Sequence, residues 1–261
     1  MERILKTGPR SEPTRRALVE AHLEHLRYLE ERSEVPRHQR SFVLLQPKLT
    51  AGALFLPGEG AGTDEVERLA AAFHARGHTV LASALALRSL DHPGRSPQYW
   101  QTCADEAEVR YDMLAHYTDR ITVVGVGVSA LIALHLATRK RVDAVVALFP
   151  VFDTAPSWLQ RLQGALQRLL RREEAIPHTW GAQRRIAGTA GREAADRISV
   201  PLYMVVEDRR DRSEAARSAQ TAQKLEGRAT TRVRLLPPEV ASARALPQDV
   251  LDDILNFTRR K

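Results

Sequence analysis

Cysteine is nearly absent from this chain: Cys103 is the only one in 261 residues. One thiol closes no disulfide framework and builds no cysteine-based zinc site. It fits a reducing compartment, and a cytoplasmic location is the expectation. Long apolar runs are missing as well, since no stretch reaches the roughly 18 consecutive apolar residues of a membrane-spanning helix. The opening MERILKTGPRSEPTRR is charged and carries no apolar segment of the kind a secretory signal needs. Aromatic residues make up only 5%. None interleaves with a basic run, so a groove for nucleic acid is not expected. The net charge of +7 favours anionic partners in general, but acids and bases alternate through most of the chain and read as solvated faces.

Metal and nucleotide motifs also fail on spacing. His74 and His78 straddle Gly77 without a third ligand, and His22 and His25 sit among glutamates, so no metal site is expected. Gly58-Glu-Gly60-Ala-Gly62 matches neither a dinucleotide fingerprint nor a phosphate-binding P-loop. No cofactor is expected.

What is present is a 43% hydrophobic chain, enough for one large globular domain with a sizeable core. Residues 1–40 read as an N-terminal helical extension. Ser11 is the candidate N-cap of a helix over 12–33, Pro13 lies in its first turn, and Leu18, Leu23, Leu26 and Leu29 form its apolar stripe. Val35-Pro36 ends it. Two strands are expected next, 42–46 and 51–56, joined as a hairpin through Pro-Lys-Leu-Thr. Helices over 64–76, 97–117 and 128–139 then alternate with strands over 79–85, 121–126 and 143–149. After an insertion come a strand over 202–206, a helix over 213–225, a strand over 231–236 and a final helix from Pro247. This rhythm predicts an α/β fold, a mostly parallel central sheet with helices on both faces and the hairpin as an antiparallel edge.

The insertion, about 153–197, stands outside the rhythm. Trp158, Leu159, Leu162, Leu166, Leu169 and Leu170 share one helical face, and Arg161, Arg168, Arg171 and Arg172 occupy the rest. A lid helix over the strand ends is the first reading, and a surface for a membrane or a partner is the second.

Three segments carry a family resemblance. GALFLPGEGAGTDEVERLAAAFHARGHTVLASAL resembles the opening strand, oxyanion loop, first helix and second strand of bacterial carboxylesterases and monoacylglycerol lipases. RITVVGVGVSALIALHLATRKRVDAVVALFP resembles their nucleophile elbow, and VPLYMVVEDRRDRSEAARSAQ their acid-bearing strand and loop. The resemblance implies an α/β-hydrolase domain over 41–261 with a short helical lid. It also implies a G-x-S-x-G elbow, whose serine sits on a strained turn between small flanking residues. With Gly127 at the elbow the flanks are Gly125 and Ser129, both small; with Ser129 there, the flanks would be Gly127 and Leu131, and leucine would clash. Gly127 therefore takes the nucleophile position, and it has no side chain to attack with.

The remaining machinery departs from the family pattern too. The base histidine should follow the last strand, but the last histidine of the chain is His178. The acid position falls on Asp208 or Asp211. The family's oxyanion donors map to the backbone N–H groups of Val128 and Glu59, after Pro57-Gly58 in place of His-Gly. The expectation is a pseudo-esterase acting as a binding or assembly subunit. Its partner would be a protein or a small apolar ligand, with Trp158, Arg161, Leu162 and Arg168 as the candidate surface and an oligomer left open. The alternative is an active serine carboxylesterase or lipase using Ser129 with an off-pattern histidine, His178 or His92.

Overall fold

The segment AGALFL is apolar from end to end, the pattern of a strand covered on both faces. In the computed structural model it forms β2 (Ala51–Leu56), buried at every residue. The structure describes residues 12–32, 35–58, 61–83, 85, 99–152, 180–208, 214–228, 230–240 and 242–259. Parallel to β2 run β3 (Thr79–Ala82), β4 (Arg120–Val126), β5 (Ala144–Leu148), β6 (Leu202–Glu207) and β7 (Thr231–Leu236), and with β1 (Phe42–Leu44) they make one sheet in the order β1-β3-β2-β4-β5-β6-β7.

The first pairing corrects the sequence reading. β1 does not form a hairpin with β2; it lies antiparallel to β3, Phe42 opposite Ala82 and Leu44 opposite Val80. β2 is instead flanked by β3 and β4 on its two sides. The fully buried β2 takes the interior of the sheet, and the half-buried β1 takes the edge.

Side chains alternate across the sheet with period two. Leu54 and Leu56 face a core shared with α3 (Tyr99–Ala115), α4 (Val128–Arg139), α5 (Trp180–Arg197) and α6 (Glu214–Glu226). Ala53 and Phe55 face a second core shared with α2 (Glu67–Ala75) and α7 (Gln248–Thr258). Thus α5, which closes the 153–197 stretch, is packed on the body rather than standing above it. A Cβ on Gly191 would lie 2.7 Å from the Leu131 side chain, so the α4–α5 contact depends on a bare backbone there. Residues 153–179, which include the expected lid face, lie outside the described residues.

The N-terminal helix α1 (Glu12–Arg32) is tied to the sheet edge. Leu26 is buried, Val19 packs with Leu49 and Tyr117, and the Glu30 carboxylate accepts the Ser41 backbone N–H at 3.0 Å and the Ser41 hydroxyl at 2.6 Å. The Ser41 and Ser83 hydroxyls are 3.3 Å apart, and Arg110 Nε donates to Ser83 Oγ at 3.0 Å. A carboxylate and a guanidinium are thus joined through two buried serines, which satisfies polar groups that burial would otherwise penalise. Among the described residues no helix is long and apolar enough to cross a membrane.

Candidate functional site

Between the end of β4 at Val126 and the start of α4 at Val128, Gly127 alone turns the chain, at φ 59° and ψ −120°. A residue with a Cβ holds such angles only under strain. The turn is pinned by the Gly127 N–H, which donates to the Leu148 carbonyl of β5 at 2.9 Å. Among the described residues, a Cβ built on Gly127 would meet nothing within 4 Å. Gly125 is the opposite case, because its Cβ would lie 2.3 Å from the Ser129 carbonyl oxygen and 2.7 Å from Ala130 Cα. The backbones of β4 and α4 pass too closely for any side chain at 125, while the space above 127 stands open among the described residues.

Ser129 is fully buried in the first turn of α4, and its hydroxyl donates to the Pro57 carbonyl at 2.6 Å. That bond ties α4 to the loop after β2. No histidine among the described residues reaches Ser129 Oγ, so nothing there stands ready to take its proton.

The loop after β2 has an acidic neighbour. The Gly58 N–H donates to Glu65 Oε2 at 2.7 Å, so this amide is already satisfied by a carboxylate from the short helical turn Thr63–Glu65. Burial pushes the Glu65 carboxyl up from its ordinary value; the Gly58 hydrogen bond and Arg244 pull it back, and Asp64 adds to the rise. The sequence does not single out Glu65, which reads there as one more acid opening a helix. Val128 contributes a first-turn amide, one of those a helix leaves without an intrahelical partner. Glu59 lies outside the described residues.

Asp208 follows β6 directly, its N–H donating to the Leu236 carbonyl at 2.7 Å, and Asp211 lies outside the described residues. After β7 the chain runs through short helical turns at Pro238–Val240 and Ala243–Ala245, in a stretch without histidine. His22 contacts the Tyr117 hydroxyl at 2.5 Å, and His74 and His78 each approach a backbone carbonyl, of Leu45 and Phe73, at 3.2 Å. His135, on α4, stacks edge-on against Trp100 with ring centroids 5.5 Å apart, and its buried Nε2 has no hydrogen-bond partner among the described residues. Burial, helped by Arg139 and opposed by Glu108 and Asp105, holds the His135 imidazole below its ordinary range. His92, His178, Trp158, Arg161, Leu162 and Arg168 lie outside the described residues. Among the described residues no group of three His, Cys, Asp or Glu is placed to hold a metal ion.

One feature beside the turn has no signal in the sequence. Phe149, the residue after β5, holds a positive φ of 50° with its N–H bonded to the Val205 carbonyl at 2.7 Å. Two adjacent strands, β4 and β5, therefore both leave the sheet through left-handed backbone, once with glycine and once with a bulky aromatic.

No protein-family model matches the chain, and no curated protein sequence matches it. Solved structures do. A structure reported for LipS and LipT, two metagenome-derived lipolytic enzymes, is similar over 86% of this chain and 99% of its own, with a TM-score of 0.63 at 14% identity. The monoacylglycerol lipase of Paleococcus ferrophilus is similar over 84% of this chain and 97% of its own, with a TM-score of 0.59 at 13% identity. MenH from S. aureus is similar over 84% and 97%, with a TM-score of 0.53 at 13% identity. At these identities the likeness is one of fold.

Proposed function

We propose that this protein, a chain with the α/β-hydrolase fold, is a pseudo-esterase: a non-catalytic binding or assembly subunit built on a hydrolase scaffold. The observation that carries the reading is Gly127, alone in a strand-to-helix turn whose φ would strain any other residue, with open space among the described residues where a nucleophile's side chain would stand. Acyl transfer on this fold needs an activated hydroxyl, a base to take its proton and backbone donors for the developing oxyanion. The chain has glycine at the first, no histidine after residue 178 for the second, and a carboxylate already on the Gly58 amide beside the third. Losing the nucleophile alone costs a serine hydrolase on the order of 10⁶ in kcat.

The reading extends to what is bound. A protein partner or a small apolar ligand would meet the chain above the carboxyl ends of the strands, with Trp158, Arg161, Leu162 and Arg168 as its contacts. The crevice outside the strand ends is where open α/β sheets hold ligands. A cytoplasmic setting belongs to the same reading, supported by the lone buried thiol of Cys103.

The test is labelling with a fluorophosphonate probe, which reports an activated serine without knowledge of the substrate. The expected result is no labelling of the wild-type chain. Labelling that disappears in Ser129→Ala would overturn the proposal in favour of an active ester hydrolase using Ser129 with His178 or His92. Against that outcome stand the full burial of Ser129 and its hydrogen bond to Pro57.

A further inference from the structure

The parallel strands have a second end. Opposite Gly127, at the amino ends of β2 to β6, lies a cavity of about 450 Å³. That is within the roughly 300–1,000 Å³ usual for small-molecule sites. Three arginines line it: Arg76 where α2 stops, Arg120 as the first residue of β4, and Arg259 just beyond α7. They come from positions far apart in sequence and converge only through the fold.

Their charges are poorly compensated. Among the described residues neither Arg120 nor Arg259 has a carboxylate within ion-pair distance, and Arg76 has only Asp252, at 3.8 Å. The single carboxylate among the described lining residues, Asp143, is committed to the Ile121 N–H at 2.8 Å. His78 also lines the cavity; burial, and then the nearby Arg120 charge, hold its imidazole below the ordinary range, against a hydrogen bond to Phe73. Among the described residues, three arginines thus line the cavity beside a single lining carboxylate, Asp143, whose Oδ2 accepts the Ile121 N–H. Arg76 and Arg259 cap helix C-termini, where a positive charge complements the helix dipole. Arg120 caps no helix, and dipole compensation leaves it unexplained.

We propose that this cavity binds a small phosphorylated molecule, its phosphate held by Arg120 and Arg259 and its organic part lying along Phe257. Guanidinium groups match the geometry of phosphate oxygens and stay charged at any physiological pH. The volume far exceeds that of a bare phosphate ion, and the half-buried Phe257 ring supplies an apolar wall. This site is separate from the Gly127 turn and does not depend on the pseudo-esterase reading.

The test is titration calorimetry with phenyl phosphate, a minimal phosphate monoester, at ionic strength held constant with sodium chloride. Saturable one-site binding is expected, weakened at least tenfold by Arg120→Gln with Arg259→Gln and unchanged by Arg244→Gln, whose guanidinium pairs with Asp64 elsewhere. A second readout uses the wild-type chain alone: the bound phosphate should raise the pKa of His78, followed by NMR of its ring protons. The inference is overturned by the absence of saturable heat, by binding that survives the double substitution, by inorganic phosphate binding as tightly as phenyl phosphate, or by a His78 titration that phenyl phosphate leaves unmoved. Should the double variant fail to fold, the His78 titration decides.

Discussion

The two ends of one parallel sheet differ in what they keep. At the carboxyl end the backbone itself is constrained: Gly127 turns at φ 59°, Gly125 clears the crossing, and Ser129 bonds to Pro57. At the amino end, where Gly77 also turns at a positive φ of 90°, the side chains are the unusual part, with arginines drawn together and, among the described residues, left without full compensation. Packing explains the first end without any appeal to catalysis. A close strand–helix crossing needs a bare residue at 125 and a small buried one at 129, whatever stands at 127. Packing does not explain the second, since exposed arginines gain nothing from crowding.

The comparison is broken most directly at its two glycines. Gly125→Ala forces a Cβ into backbone 2.3 Å away and should cost about 3 kcal/mol, the upper end of overpacking. Gly127→Ala meets no atom of the described residues and should cost only the strain of φ 59°, about 1–2 kcal/mol. Denaturant unfolding of both variants measures the difference. Equal losses would mean that the space above Gly127 is not open and that packing constrains both positions alike.

A second effect is pH-dependent. The His135 imidazole titrates lower in the folded chain than in the unfolded one, where its value is 6.5. The unfolded chain therefore binds the proton first, and stability present above pH 6.5 is lost as the pH falls from there toward the lower folded value. His78 acts in the same direction. Glu65 acts oppositely: its folded value lies above 4.5, so the folded chain protonates first and stability falls as pH rises from 4.5 through that raised value. His135→Leu should flatten the acid side of the stability profile and leave an apolar group beside Trp100. A profile as steep as the wild type's would show that His135 is not the group responsible.

The smallest expected change is at the amino end. Arg120→Gln should shift unfolding free energy by less than ~0.5 kcal/mol, as for a surface position without a partner. A larger loss would show that the arginine serves the fold, and the contrast between the two ends would weaken.

Much of this was legible beforehand for a physical reason. Strand–helix alternation, the apolar run of β2 and the ends of most helices follow from short-range periodicity, and the structure bears out the α/β fold with a mostly parallel sheet expected from them. The glycine at 127, its small neighbours and the lack of histidine after 178 are likewise written in the chain. Other features could not be read. The hairpin expected between β1 and β2 gave way because local turn chemistry cannot weigh β1 against β3, a partner some forty residues away in sequence. The capture of the Gly58 amide by Glu65, the left-handed Phe149 and the gathering of Arg76, Arg120 and Arg259 leave no periodic trace. Which residue types stand at which positions, and which segments are strand or helix, the sequence determined by itself, because these depend on composition and near neighbours. Which strand pairs with which, which glycine is forced by contact and which only by its dihedral angles, and where charge accumulates were decided by the tertiary structure, because each depends on groups distant along the chain that meet only when the sheet closes its two cores.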